Sequence, residues 1–432
     1  MTTYDELNRP TRIVGPAYTD ATYGLIRPAT IYSYDKLGNL TQVQAGRTDS
    51  SGINPASDVV TTQNSSVYDD FGRKLKEIDP LGKFWTFVYD VNNNVTSMTD
   101  AKGQITGYTW GYGHQMLTRT TAAGNVTYIR NSLGQIATRT NSNPAMTTGY
   151  SYDTAHRPIS VTDNRGNKTL TYNYSPGGLL NWVSDNDDNR TDYDYDPVGR
   201  LSGIWAPNED YVTFRYDDGG RLAEKWFPNG VGALYAYNAD NSLSQVVNKT
   251  NASSIISQHD YTYDGVGNRL THTEKVGATT TAYSYLYDAL NRLTQVGNGT
   301  AAQQENYGYD PLGNRLSKQV NITTPTVTAY IYDAANQLKE IHQGSTSGPL
   351  LANMLYDDNG NMYQKTEGAT TTSLTYDTLN RLAQVAKTGI STQSYSYDDQ
   401  GRRIKKTVGS TTTNFLYNGP DIYGEYTNWT AP

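Results

Sequence analysis

The residues with chemical potential in this chain recur rather than gather in one place. "YDPVGRL" at 195–201 sets Tyr195, Asp196, Gly199 and Arg200 close together. The same order returns as Tyr216, Asp217, Gly220 and Arg221, and as Tyr287, Asp288 and Asn291. It returns again as Tyr309, Asp310 and Gly313, as Tyr376, Asp377 and Asn380, and as Tyr397, Asp398 and Gly401. Nearer the N-terminus stand Tyr34, Asp35 and Gly38, then Tyr68, Asp69 and Gly72. Two opposed carboxylates are the equipment of a glycoside hydrolase, and aspartates are plentiful here. His259, His272 and His342 are scattered, without metal-ligand spacing. "DNDDNR" at 185–190 groups side-chain oxygens that can hold Ca²⁺, but it lacks the Gly and distal Glu of an EF-hand loop. A solvated turn is the plainer reading of that run.

A search for internal periods decides what the aspartates do. With the Tyr as position zero, eighteen copies run from Tyr4 to Tyr397, and a degenerate nineteenth starts at Tyr417. Position zero is Tyr in 16 copies, with Trp110 and Arg130 in the others; position one is Asp in 14. Position four is Gly ten times, Asn six times and His twice, at His114 and His156. Those are the types that tolerate positive φ. Pro176, Pro197 and Pro311 fill position two. Asp, Pro and then Gly or Asn is the signature of a type I turn, which with a following left-handed residue closes a β-hairpin through a G1 bulge. The Asp carboxylate then serves its own turn, and no catalytic residue is expected. Arg73, Arg200, Arg221 and Asn314 at position five are expected to bond or stack on neighbouring tyrosines.

The flanking sequence supplies the strands. Aromatics alternate before the turn, as in Tyr193/Tyr195 and Tyr307/Tyr309, and share one strand face. Apolar residues follow it, as in Leu201/Ile204 and Leu382/Val385. A second turn comes about ten residues later, at Asp79–Gly82, Asp100–Gly103 and Asp163–Gly166, or at Gly277, Gly368 and Gly409. Each unit is two strands. The fold class is therefore all-β, a meander of about 36 antiparallel strands over residues 1–432 as a single domain. Twist accumulates across so many strands, so the sheet is expected to wind into a spiral, an open tube or part of a hollow shell.

Composition sets outer bounds. The absence of Cys removes disulfides and thiol chemistry. A net charge of −7 without a basic run argues against nucleic acid as a partner. No apolar run reaches the roughly 20 residues of a membrane span, and the first residues lack the apolar stretch of a Sec-type signal. Hydrophobic residues make up only 36%, yet 37 tyrosines suit half-buried β surface rather than disorder.

Units of the form Tyr-Asp-x-x-Gly-x-Leu at a period near 21 residues resemble the YD repeats of Rhs proteins, of insecticidal toxin-complex B and C subunits, and of teneurins. The resemblance spans about residues 4–426. It implies a spiral of β-hairpins forming a hollow shell, which in bacterial members encloses a toxic C-terminal polypeptide before delivery. In teneurins it implies part of an adhesion ectodomain. "FLYNGPDIYGEYTN" at 415–428 resembles the last repeat before the family's core, whose Asp-based self-cleavage site has no candidate here. The resemblance thus implies a structural shell segment, secreted or at the cell surface. Its partners would be an enclosed polypeptide cargo or further shell segments, and it needs no cofactor. The alternative is a carbohydrate-binding or adhesive module. That reading needs a second aromatic face, for which Trp85/Phe87, Trp205 and Trp226/Phe227 are the candidates. Insertions at 11–31 and 44–66 interrupt the period and are where a partner-specific role is expected.

Overall fold

The computed structural model describes residues 1–20, 23–300, 303–321 and 323–427. Among the described residues are 39 strands and three full 3₁₀ turns, Pro55–Ser57, Tyr112–His114 and Arg165–Asn167. The strands beyond the expected 36 are Thr2–Tyr4 before the first turn, Tyr18–Asp20 in the first insertion, and Asp421–Thr427 after the degenerate last turn. With one exception, each strand pairs antiparallel with the next in sequence. The exception is Pro10–Val14, which skips Tyr18–Asp20 and pairs with the middle of Gly24–Tyr34, the start of which pairs with Tyr18–Asp20. Among the described residues no pairing joins the first strand to the last, so the ribbon is not a closed barrel.

Each Tyr-Asp turn has the backbone its sequence asks for. At Asp196 the Gly199 N–H donates to the Asp196 carbonyl (2.9 Å), and the Asp196 N–H donates to the Arg200 carbonyl (2.8 Å). The strand register shifts at Tyr195, where the bulge sits. Every position-four residue has positive φ, from 59° at His114 and Asn291 to 94° at Gly313. Only Gly and a few short polar or imidazole side chains enter that region readily, which explains the restricted choice in the sequence.

Register separates the two faces. Tyr195 lies opposite Leu201 and Tyr193 opposite Ile204, so tyrosines and aliphatics share one face. Asp194 lies opposite Gly203 and Asp192 opposite Trp205, which gives the other face its polar character. The ribbon also has two edges. One carries the Tyr-Asp turns and is called the YD rim; the other carries the second turns and is called the loop rim.

The ribbon winds back on itself. Partners joined across the seam are between 234 and 280 residues apart in sequence. The YD rim of the later wrap sits on the loop rim of the earlier one. Deep burial follows this contact: Leu170, Val183, Asp398, Ile404 and Leu416 are almost wholly covered. Elsewhere most residues are half-buried, as a single layer of sheet requires.

The insertions at 11–31 and 44–66 are also structured. The Arg12 guanidinium pairs with Asp58 (2.6 Å) and donates to the Gly52 carbonyl and the Thr48 hydroxyl, all near the strand Leu40–Thr48. Tyr18 from the first insertion is buried under the Arg292 guanidinium of the later wrap, 4.4 Å from the ring centre. A stretch read as a place for an outside partner thus seats another part of the same chain.

Candidate functional site

The repeated residues form one small machine, built the same way each time. The Asp196 carboxylate accepts the backbone N–H groups of Val198 (3.1 Å) and Arg200 (2.9 Å), and its second oxygen accepts Arg200 Nε (2.7 Å). Asp217, Asp288, Asp377 and Asp398 hold Arg221, Arg292, Arg381 and Arg402 in the same way. Asp35 and Asp310 hold Asn39 and Asn314, while Asp69 holds Arg73. At Asp153 the Arg157 N–H, and then its guanidinium, hold the carboxyl below its ordinary value.

The position-five side chain also reaches the next repeat. Arg221 Nη1 donates to the Asn238 carbonyl and to the side chain of Asn241. Arg200 lies over the Tyr216 ring (4.6 Å) and Arg381 over Tyr397 (5.0 Å). Asn314 bridges instead to Asn336, and Asn268 to Asn291. The tyrosine completes the link in the opposite direction. Tyr216 OH donates to the Leu201 carbonyl of the preceding unit, Tyr195 to Leu180, and Tyr309 to Leu293. Tyr34, Tyr287, Tyr376 and Tyr397 donate to Pro10, Arg269, Met362 and Leu382. Where the Tyr is replaced, the substitute makes the equivalent bond. Trp110 Nε1 donates to the Val95 carbonyl (2.7 Å), and Arg130 Nη2 reaches the Met116 carbonyl (3.5 Å). The need for a long side chain with a donor at its tip was the signal, and those two substitutions display it.

At the seam the same turns meet a second set of partners. Asp398 is fully buried, with Arg139 of the earlier wrap 3.8 Å away. Arg139 pairs with Asp399 (2.9 Å), which also accepts Tyr128 OH (2.8 Å). Burial, and next the Asp399 charge, push the Tyr128 phenol well up. Lys102 pairs with Asp357 (3.0 Å) and Lys83 with Asp358 (2.8 Å). Arg165 donates to the carbonyls of Ile404 and Phe415. Beside these contacts a cavity of about 720 Å³ opens, lined by Tyr150, Tyr152, Tyr172, Tyr174, Arg402 and Tyr417. Nothing in the sequence marks Arg139 or Asp399 as paired, because only winding brings them together.

The remaining candidates resolve into structure. His114 and His156 hold the left-handed turn position, at φ 59° and 66°. His259 and His272 hydrogen-bond to each other (3.1 Å), and His342 bonds to Glu340 and the Gly348 carbonyl. The solvated-turn reading holds for residues 186–190, which are exposed, but not for the first of the run. Asp185 is buried at the seam, and its carboxylate accepts the N–H groups of Asp187 and Asn189 as well as Tyr426 OH. The second aromatic face is smaller than the sequence suggested. Trp85 and Phe87 lie on the tyrosine face with Tyr89, and Phe227 is in a turn. Trp182, Trp205 and Trp226 do share the opposite face. Among the described residues no helix is long and apolar enough to cross a membrane.

Comparison with known proteins places this architecture. The family model described as the teneurin YD-shell matches residues 119–235 and 260–427, more than half of the sequence. The chain belongs to the teneurin YD-shell family. The RHS repeat model matches residues 68–105 and 89–126, units that the shell model largely leaves out. No curated protein matches the sequence. Among solved structures, the Photorhabdus luminescens Tc holotoxin pore, carrying a mutation in TccC3, superposes with a TM-score of 0.70 at 17% identity. That match covers 96% of this chain and 23% of the toxin chain, so this YD shell spans about a quarter of the length of that relative. The TcdB2-TccC3-TEV crystal structure matches over 96% of this chain and 30% of its own, at 13% identity and a TM-score of 0.43.

Proposed function

We propose that residues 1–432 act as one structural unit, a segment of shell wall that encloses a polypeptide. In this reading the Tyr, Asp, Gly and Arg positions of each repeat are folding devices, and the chain has no catalytic role. Its product is a walled space, of the kind that in a toxin complex shelters a toxic C-terminal polypeptide until delivery. Its setting is secreted or at the cell surface.

The observation that carries this reading is the seam. A ribbon that returns to itself after 234–280 residues bounds a lumen. Roughly 22 strands lie between Arg165 and its partner Ile404, and at about 4.8 Å each they give a perimeter near 105 Å. A circular path of that length is about 34 Å across. Side chains narrow it, but an unfolded chain fits.

The test is protection. A protease-sensitive polypeptide fused to the C-terminal end is expected to survive a proteinase that digests the same polypeptide free in solution. Arg139→Glu, which opens the seam, is expected to expose it. Equal digestion rates in all three cases sink the enclosure reading.

A second reading, a glycan-binding or adhesive surface, rests on one observation. Trp205 is stacked on Tyr211 (4.0 Å) on the polar face, and Asp194 accepts hydrogen bonds from both rings (3.0 and 2.9 Å). Exposed rings fixed by a carboxylate are a surface on which a pyranose stacks. A glycan array probed with the native chain and with Trp205→Ala decides it; identical profiles remove the reading.

A further inference from the structure

His259 and His272 stand 13 residues apart, a spacing that marks nothing in the sequence. Strand pairing brings them together. Ile255–Tyr263 runs antiparallel to Arg269–Val276, with His259 opposite Glu274 and Tyr261 opposite His272. His259, Tyr261, His272 and Glu274 therefore share one face, that of the tyrosines. Tyr283, on the following strand Thr279–Tyr287, lies opposite His272 on the same face.

The two imidazoles meet through their nitrogens. His259 Nδ1 and His272 Nε2 lie 3.1 Å apart and share a hydrogen bond, so one proton sits between two ring nitrogens. The Glu274 carboxylate approaches the same His259 nitrogen, at 3.8 Å. Both rings are braced. His259 Nε2 bonds to Ser257 Oγ (3.1 Å), as an outer partner fixes a metal-bound histidine. His272 is stacked between Tyr261 and Tyr283, at 4.9 and 5.4 Å between ring centres. The nearby Arg269 guanidinium is engaged over the Tyr261 ring (4.7 Å). His259 and Glu274 keep 20% and 35% of their side chains exposed, so an ion from solvent reaches them. Burial, and then His259, hold the His272 imidazole below its ordinary value, which leaves it neutral at pH 7, the form that coordinates.

The spacing suits a shared ion. Two metal–nitrogen bonds of about 2.1 Å to nitrogens 3.1 Å apart meet at about 95°. A near right angle is the bite of a tetragonal ion, and imidazole suits Cu²⁺, Ni²⁺ and Zn²⁺, with Cu²⁺ the tightest of them. Among the described residues no three His, Cys, Asp or Glu side chains form a ready metal cage, so water completes the coordination. We propose that His259 and His272, with Glu274 beside them, form a site for one divalent transition-metal ion, Cu²⁺ above all. The ion clips Ile255–Tyr263 to Arg269–Val276. As it binds, the rings tilt toward it, and the shared proton moves through solvent to the other nitrogen of its own ring. Both imidazoles then coordinate as neutral ligands. The site belongs to one hairpin in mid-ribbon and stands whether or not the ribbon encloses a cargo.

Calorimetric titration of the full, untagged chain with Cu²⁺ at neutral pH tests it, together with electron paramagnetic resonance of the loaded chain. One equivalent is expected to bind, with hyperfine splitting from two imidazole nitrogens. Zn²⁺ is expected to compete for the site, and Mg²⁺, which prefers oxygen ligands, is not. His259→Asn and His272→Gln, their fold checked by circular dichroism, are each expected to weaken binding at least about tenfold. Binding that these variants leave unchanged overturns the proposal, because the ion is then held elsewhere. So does the absence of any binding tighter than that of the double variant. A spectrum with a single nitrogen overturns it as well, and that measurement needs no variant to fold.

Discussion

The arc from Tyr195 to Val276 and the arc from Tyr356 to Thr427 are built from the same unit, and they differ in what lies beyond their turns. Asp196 and Asp398 each accept two backbone N–H groups and one arginine Nε, with nearly the same distances. Around Asp196 there is water and the next turn. Around Asp398 there is Arg139 of another wrap, and the carboxylate is fully buried. The first arc shows what the repeat does alone: it makes a ribbon. The second shows that the shape of the ribbon depends on a few charged residues outside the motif.

The largest effect is expected where the comparison is most one-sided. Arg139→Ala leaves the buried Asp399 carboxylate without its cation, while Asp398 keeps Arg402, and costs about 3–5 kcal/mol. Amide exchange is expected to quicken across residues 395–427 and to stay unchanged across 195–250. Uniform quickening would mean that the two arcs share one cooperative unit.

Next comes the matched pair of substitutions. Asp398→Ala removes three hydrogen bonds and disturbs a buried arginine, for about 3 kcal/mol. Asp196→Ala removes the same three at a partly solvated turn, where water replaces them, and is expected to cost less than half as much. Urea denaturation of both variants gives the difference, and equal losses would show that docking adds nothing at Asp398. A smaller effect is expected at position four. Gly199→Ala forces a methyl into φ 83° for about 1 kcal/mol, whereas Asn380→Gly is expected to be nearly neutral.

The smallest effect sharpens the comparison by pH. Burial, and then the neighbouring His259, hold the His272 imidazole below its ordinary 6.5. The folded state binds this proton more weakly than the unfolded one. Its contribution to stability is complete above pH 6.5 and declines as the pH falls below that value. The Asp153 carboxylate is held below 3.8, so its contribution holds until the pH falls below 3.8 and through the folded value. Between pH 6.5 and about 4.5 strands 255–287 are expected to loosen. Exchange measured at pH 5.5 against pH 7.5 checks this, and loosening at the seam instead would reverse the assignment.

Much of this was legible beforehand, for local reasons. The turn, its bulge, its positive-φ residue and the strand faces all arise within a dozen residues, and the sequence repeats the instruction eighteen times. The arginines at position five were also readable as partners of neighbouring rings, whereas Asn314 bonds to Asp310 and Asn336 instead. The aromatic face around Trp85 was misread because spacing from the turn, not residue type, sets the parity of a strand. Of the run at 185–190 only Asp185 was misread, because its polarity says nothing of what docks on it.

The sequence by itself determined the ribbon: its all-β class, its period and its two kinds of turn, since hairpins close through contacts near in the chain. Only the tertiary structure decided where the ribbon meets itself. Twist and bending accumulate in small amounts over roughly 22 strands, and no single residue encodes their sum. Arg139 with Asp398 and Asp399, Tyr18 with Arg292, and Tyr426 with Asp185 lie some 240 to 280 residues apart, and winding alone turns them into partners.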